Sequence, residues 1–345
     1  MRTQQRHARS RRGWWRALLV ALALLAPLVA IDGAAPALTT KPAGATLHPG
    51  PGTTRVAARA GQRIRDPNVP RQPHGPGVVT VPLDGRPFRL YFPSSYDPAR
   101  PMPLVVVLHG YTASAQGVTD YFGLQRQAEL RGFLYAMPDG TRDKAGYQFW
   151  NATERCCDHF DSRVDDSTYL SRLISLVKWN YTVDRRRVFL LGHSNGGFMA
   201  HRMACEHAGQ ITAIASFAGV GWQDETRCAP TRAVSVLQIH GTNDPTVAYQ
   251  GGTTNNVAYP GAEEMVARWR RLNGCALQDT PAPRTLDLDA AVVGAETLSW
   301  EHRDGCRDGS RVQLWRMAGS GHLPPLTPSF TAEVIDFFYD SRHPA

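Results

Sequence analysis

From about Val78 onward, short apolar runs alternate with amphipathic stretches, and this alternation leaves the chain few architectures. Leu104–Leu108, Phe133–Met137, Val188–Leu191, Ala213–Phe217 and Val234–Ile239 are short, apolar and bounded by Gly, Pro or polar residues. That is the pattern of strands buried on both faces. Between and after them, Gln116–Glu129, Ser167–Trp179, Gly197–Cys205, Ala262–Leu272 and Pro328–Tyr339 follow a helical period. The succession predicts an α/β protein with a mostly parallel central sheet flanked by helices. Val78–Pro82 and Phe88–Phe92, joined through Asp84-Gly85, predict a leading antiparallel pair, and Leu298–His302 and Val312–Met317 close the series. No internal repeat is visible, and residues 77–345 suit one domain.

Polar residues gather where the strands end: His109-Gly110, Asp139-Gly140, Gly192-His193-Ser194, His240-Gly241 and Gly319-Ser320-Gly321-His322. In an open parallel sheet these ends share one rim, where ligands bind. Gly192-His193-Ser194-Asn195-Gly196 is G-x-S-x-G, placed between a strand and a helix. Such a turn is strained, and small residues two before and two after the Ser let it press against neighbouring backbone while the hydroxyl stays exposed. A Ser hydroxyl is a weak nucleophile at neutral pH, so it needs a His base and an acid that orients the imidazole. With this turn the chain order is Ser, acid, His, which limits the search to residues beyond Ser194.

Asp244, directly after an apolar strand in Gly241-Thr242-Asn243-Asp244, is the candidate acid; Asp224, Glu225, Asp287 and Asp289 lie in irregular segments. His322 follows the last strand and is the candidate base, because His302 falls inside a strand and His343 at the chain end. His109-Gly110-Tyr111 takes the place of an oxyanion loop, where the backbone N–H of Tyr111 would pair with that of Asn195. The His109 side chain receives no chemical role, and the geometry of the turn points His193 away from the Ser hydroxyl.

The net charge of +8 suggests nucleic acid until it is divided along the chain. Residues 1–37 hold six Arg against Asp32, and residues 38–76 hold five Arg and Lys41 against Asp66, so the other 269 residues are slightly acidic. No basic nucleic-acid surface follows. Residues 1–37 read as an export signal: a basic segment, the apolar run Ala17–Ile31, then Ala34-Ala35-Pro36-Ala37. Ser10-Arg11-Arg12-Gly13-Trp14-Trp15 has the look of a twin-arginine signal. An uncleaved anchor is the competing reading, although the run is short for a span. Residues 38–76, rich in Pro, Gly, Thr, Ala and Arg, read as a disordered linker. The expectation is a secreted or periplasmic-side monomer with no stable membrane partner once the signal is cleaved.

The six cysteines, Cys156, Cys157, Cys205, Cys228, Cys275 and Cys306, agree with export, although six allow 15 pairings. Position along the elements favours Cys205–Cys228 and Cys275–Cys306, leaving Cys156 and Cys157 to each other or as buried free thiols. The cluster Cys156, His159, Asp161, Asp165 and Asp166 invites a metal reading. No C-x-x-C occurs, however, and Asp165 or Asp166 is explained as the cap of the following helix, so no metal is expected.

His109-Gly110-Tyr111, Gly192–Gly197, Gly241–Asp244 followed by Tyr249-Gln250-Gly251-Gly252, and Gly319–His322 together resemble the polyhydroxybutyrate depolymerase and feruloyl esterase family of secreted α/β-hydrolases. So do Trp150-Asn151 ahead of Cys156-Cys157, and Val164-Asp165-Asp166 before a helix. The resemblance runs in order over residues 77–340. It implies an α/β-hydrolase fold, carboxylic ester hydrolysis without a cofactor, and Trp150, Asn151 and Tyr249 bordering the substrate site. It also implies that a Cys156–Cys157 bridge would stiffen the loop beside that site. The family often has a Trp two residues after the catalytic His; this chain has Pro324 there. Polyhydroxyalkanoate oligomers, feruloyl or acetyl esters and other short-chain esters are the expected substrates. An acyltransferase with the same residues, a peptidase and a non-catalytic binding module on this fold are the competing functions.

Overall fold

The computed structural model describes residues 68–73, 75–254, 256–278 and 281–341. The expected export signal lies outside these residues, as does most of the expected linker. Of the linker's last residues, Pro70 accepts a hydrogen bond from the Tyr181 hydroxyl at 2.6 Å, and Val69 packs on the core.

The strands are β1 (Gly77–Val81), β2 (Phe88–Phe92), β3 (Met102–Leu108), β4 (Leu134–Met137), β5 (Thr141–Arg142), β6 (Gln148–Phe149) and β7 (Val183–His193). They continue with β8 (Ala213–Phe217), β9 (Ser235–Gly241), β10 (Gly252–Thr254), β11 (Val257–Tyr259), β12 (Arg284–Leu286), β13 (Thr297–His302) and β14 (Val312–Met317). The helices are α1 (Ala115–Tyr121), α2 (Leu124–Arg131), α3 (Asp166–Asn180), α4 (Asn195–Glu206), α5 (Ala262–Asn273) and α6 (Ser329–Tyr339). One ten-stranded sheet runs β1-β2-β4-β3-β7-β8-β9-β14-β13-β12, and β5–β6 and β10–β11 are separate hairpins. The six strands from β4 to β14 pair in parallel; β1, β2, β13 and β12 extend the two edges antiparallel.

Alternation along the strands makes the core. Leu104, Val106 and Leu108 of β3 and Val188 and Leu190 of β7 meet α3, α4 and α5 on one face. Val105, Val107, Phe189 and Leu191 meet α1, α2 and α6 on the other. Both faces are covered, which is why these strands read as continuous apolar runs.

Three expectations change. The helix foreseen over Gln116–Glu129 is two helices, because Gly123 adopts φ 58° between them and Ser114 caps the first. The strand foreseen at Val188–Leu191 extends back to Val183 through Asp184–Arg187, whose polar side chains interrupt the apolar pattern. The irregular stretch before Leu298 contains β12, three residues paired antiparallel to β13. The leading pair β1–β2 forms as expected, turning through Asp84 and Gly85 at positive φ.

Candidate active site

The parallel strands β3, β7, β9 and β14 deliver their C-terminal loops to one rim, and the candidate residues sit on those loops. Ser194 follows β7 directly with φ 54° and ψ −120° and opens α4. Its N–H donates to Phe217 O at 2.8 Å, which ties the turn to β8. A Cβ at Gly192 would lie 2.1 Å from Gly196 O, and one at Gly196 would lie 2.1 Å from Leu108 O. Only glycine fits either place, so the flanks of the motif are steric requirements.

Ser194 Oγ lies 2.9 Å from His322 Nε2, and His322 Nδ1 lies 2.7 Å from Asp244 Oδ2. The structure thus brings together three residues from loops after β7, β9 and β14. Asp244 Oδ1 accepts from the N–H groups of Thr246 and Val247 at 2.8 and 2.9 Å. Burial alone would raise this carboxyl. The bonds from His240 and His322, the charge of His322 and the Val247 N–H outweigh it and hold Asp244 well below the usual carboxylate range.

Tyr111 stands three residues after β3, and Asn195 is the first residue of α4. Among the described residues neither backbone N–H donates within the protein, which leaves both available to a ligand. The Tyr111 hydroxyl donates to Asp143 Oδ2 at 2.8 Å, and its ring meets Tyr147 and His159 edge-on. Burial and the Asp143 bond push its phenol up to about 12, so it stays neutral.

Of the three substrate-site candidates, two are corrected. Trp150 is fully buried and Tyr249 is 3 % exposed, so neither side chain presents a surface to a substrate. Trp150 instead bonds the loops around it, and the Tyr249 hydroxyl donates to Glu263 Oε1 at 3.0 Å while its ring meets His240 edge-on. Asn151 is half-buried; its side-chain N–H donates to Val164 O at 3.0 Å and its N–H to Asp166 Oδ2 at 2.8 Å.

The cysteines pair Cys156–Cys157, Cys205–Cys228 and Cys275–Cys306, with no free cysteine among the described residues. The residues weighed as metal ligands make these contacts. Asp165 caps α3 through Thr168 N–H, Asp166 pairs with Arg86, Asp161 pairs with Arg163, and His159 lies against Tyr111.

Four supporting groups escaped the sequence reading. His240 is fully buried; its Nε2–H donates to Val247 O at 2.7 Å and stands 3.4 Å from Asp244 Oδ2. The Nε2–H of His193 donates to the carbonyl of His322 at 2.8 Å and anchors the base loop. Ser320 donates to buried Asp289 at 2.6 Å, a second anchor of that loop. His109 accepts from Gly140 N–H at Nε2 (2.9 Å), so its Nδ1–H donates to Gly110 O (2.8 Å), and burial lowers its pKa. One signal was available: Gln238 and His240 fall two apart in a fully buried, mostly apolar strand, a polar pair on one face.

A mostly parallel sheet with helices on both faces and a strained Ser turn between its strand and helix defines an α/β-hydrolase. The family model described as "Putative esterase" matches residues 84–267, more than half of the chain. "Putative esterase NocK" of Nocardia uniformis subsp. tsuyamanensis is 30 % identical over 324 residues, covering 89 % of this chain and 88 % of that protein. "Feruloyl esterase B" of Piromyces equi is 27 % identical over 242 residues, 67 % of this chain; the match spans 41 % of that longer protein. An acetyl xylan esterase from Aspergillus awamori shares the fold, with a TM-score of 0.52 at 16 % identity over 76 % of this chain and 99 % of that one. The chain belongs to this esterase family, and it is a carboxylic ester hydrolase.

Proposed function

We propose that the chain is an exported serine esterase that works through an acyl-enzyme on Ser194. As Ser194 Oγ adds to the ester carbonyl, His322 Nε2 takes its proton and then gives it to the departing alcohol; water repeats the cycle on the acyl-enzyme. Asp244 holds Nδ1–H, keeps the tautomer in which Nε2 accepts, and offsets the imidazolium charge. The Tyr111 and Asn195 N–H groups receive the oxyanion, and losing one such donor typically costs about 3 kcal/mol. The observation that carries this reading is His322 bridging Ser194 Oγ at 2.9 Å and Asp244 Oδ2 at 2.7 Å.

For the substrate we propose feruloyl and short-chain acyl esters. The name of the Piromyces relative supports the first, and the aromatic edge of Tyr111 and half-exposed Tyr147 beside the oxyanion position supports an aromatic or apolar acyl group. The test is hydrolysis of p-nitrophenyl esters of rising chain length, methyl ferulate and 3-hydroxybutyrate oligomers. Preference for the hydroxybutyrate oligomers over methyl ferulate at equal concentration contradicts the substrate proposal. Export rests on residues 1–37 and is supported by the closed cysteine pairing. N-terminal sequencing of protein recovered from culture medium tests it; a chain beginning at Met1 in the cell pellet contradicts it.

A further inference from the structure

Trp150 follows β6 directly and is fully buried between two segments far apart in sequence. Its indole N–H donates to His109 O at 3.1 Å, on the loop that carries Tyr111. Its backbone N–H donates to Asn195 Oδ1 at 2.7 Å, and Asn195 Nδ2 donates back to Trp150 O at 2.9 Å. Two residues earlier, Gln148 O accepts from Thr112 N–H at 3.0 Å, a second tie from β6 to the same loop. Trp150 is held from behind. Asn151 N–H donates to Asp166 Oδ2, and Asp166 Oδ1 pairs with Arg86 at 2.7 Å while Arg86 stacks 3.9 Å over Tyr169.

We propose that Trp150 is a positioning residue: it sets the separation of the Tyr111 and Asn195 N–H groups and thereby the strength of the oxyanion pocket. The inference rests on the reading in which Ser194 attacks the ester and those two groups receive the oxyanion. The pairing of β3 with β7, Leu108 opposite Gly192, brings the two segments together. The hole needs finer control, because a donor must lie within a few tenths of an ångström of the developing charge. Trp150 bonds both halves from a fully buried position, where such bonds are geometrically exacting. The Asn195 side chain serves the same strut from the elbow side while its backbone N–H faces the substrate.

The test is Trp150→Phe, which keeps an aromatic ring and removes the indole donor. Steady-state hydrolysis of p-nitrophenyl acetate is normalised to active sites titrated with a fluorophosphonate. Inhibition by phenylboronic acid, whose adduct on Ser194 places an oxygen where the oxyanion forms, is measured alongside. We expect kcat/KM and boronate affinity to fall together, on the order of 10- to 100-fold, with KM within about twofold of wild type. A buried Trp that only packs the core would lower the melting temperature and the titratable fraction but leave kcat per active site and boronate affinity unchanged; that result overturns the proposal. Asn195→Ala cuts the strut at its other end and must show the same split, which keeps the test decisive if Trp150→Phe does not fold. Ser194→Ala is run in parallel. Activity retained there overturns the site reading itself, whereas loss there with wild-type behaviour in both strut variants overturns only the strut.

Discussion

His201 makes the domain's stability depend on acid in a way that can be calculated. It lies on α4, fully buried, with Trp269 Nε1–H donating to its Nδ1 at 3.0 Å and its Nε2–H donating to Gln238 Oε1 at 2.9 Å. A protonated ring would carry a second N–H, pointed at the Trp269 N–H. Burial lowers the pKa to about 4, against the opposing effect of the Gln238 bond. The folded-state value lies below the unfolded one, so the stabilisation is complete above about pH 6.5 and is lost as pH falls toward 4. Between pH 7.5 and 4.5 the unfolded chain takes up a proton that the folded chain refuses, worth roughly 2 to 3 kcal/mol. Burial lowers His193 to about 4 as well, and the two together approach the net stability of an ordinary domain. Urea unfolding followed by Trp fluorescence at the two pH values, on wild type and His201→Gln, measures the term. The variant is expected to be less stable at pH 7.5 yet to lose roughly 2 to 3 kcal/mol less on acidification. Equal losses in the two proteins would refute the reasoning.

Three further outcomes follow from the geometry. Gly196→Ala, whose Cβ would meet Leu108 O at 2.1 Å, should fail to give soluble folded protein, as judged by circular dichroism; a folded, active variant contradicts the steric account. Replacing Cys205 and Cys228 by Ser opens a loop with separation 23 and should cost about 3 kcal/mol in urea unfolding. The same change at Cys156 and Cys157, which close almost no loop, should cost far less of that entropic term.

The candidate triad was legible because each member sits in a short polar motif at the end of an apolar strand, where local spacing carries the information. The sheet's mostly parallel centre followed from the same alternation, whereas the order of its strands did not. The supports were not legible. Trp150 meets Asn195 across 45 residues and His193 meets the His322 loop across 129, contacts that leave no local pattern. Resemblance placed Trp150 and Tyr249 at the substrate, yet large aromatics near a site are as readily its scaffold, and burial assigns both to that role. Gly123 breaks a helix whose hydrophobic period runs on through it, because periodicity records which face is buried and not whether the backbone continues.

Covalent labelling tests Ser194 as the nucleophile most directly. Wild-type protein and Ser194→Ala, both shown to be folded, are treated with a fluorophosphonate and digested, and the modified peptide is identified by mass spectrometry. The account predicts one adduct, on the peptide carrying Ser194, formed in step with loss of p-nitrophenyl acetate hydrolysis, and no adduct and no activity in the variant. An adduct on another residue, or hydrolysis retained by Ser194→Ala, would contradict it.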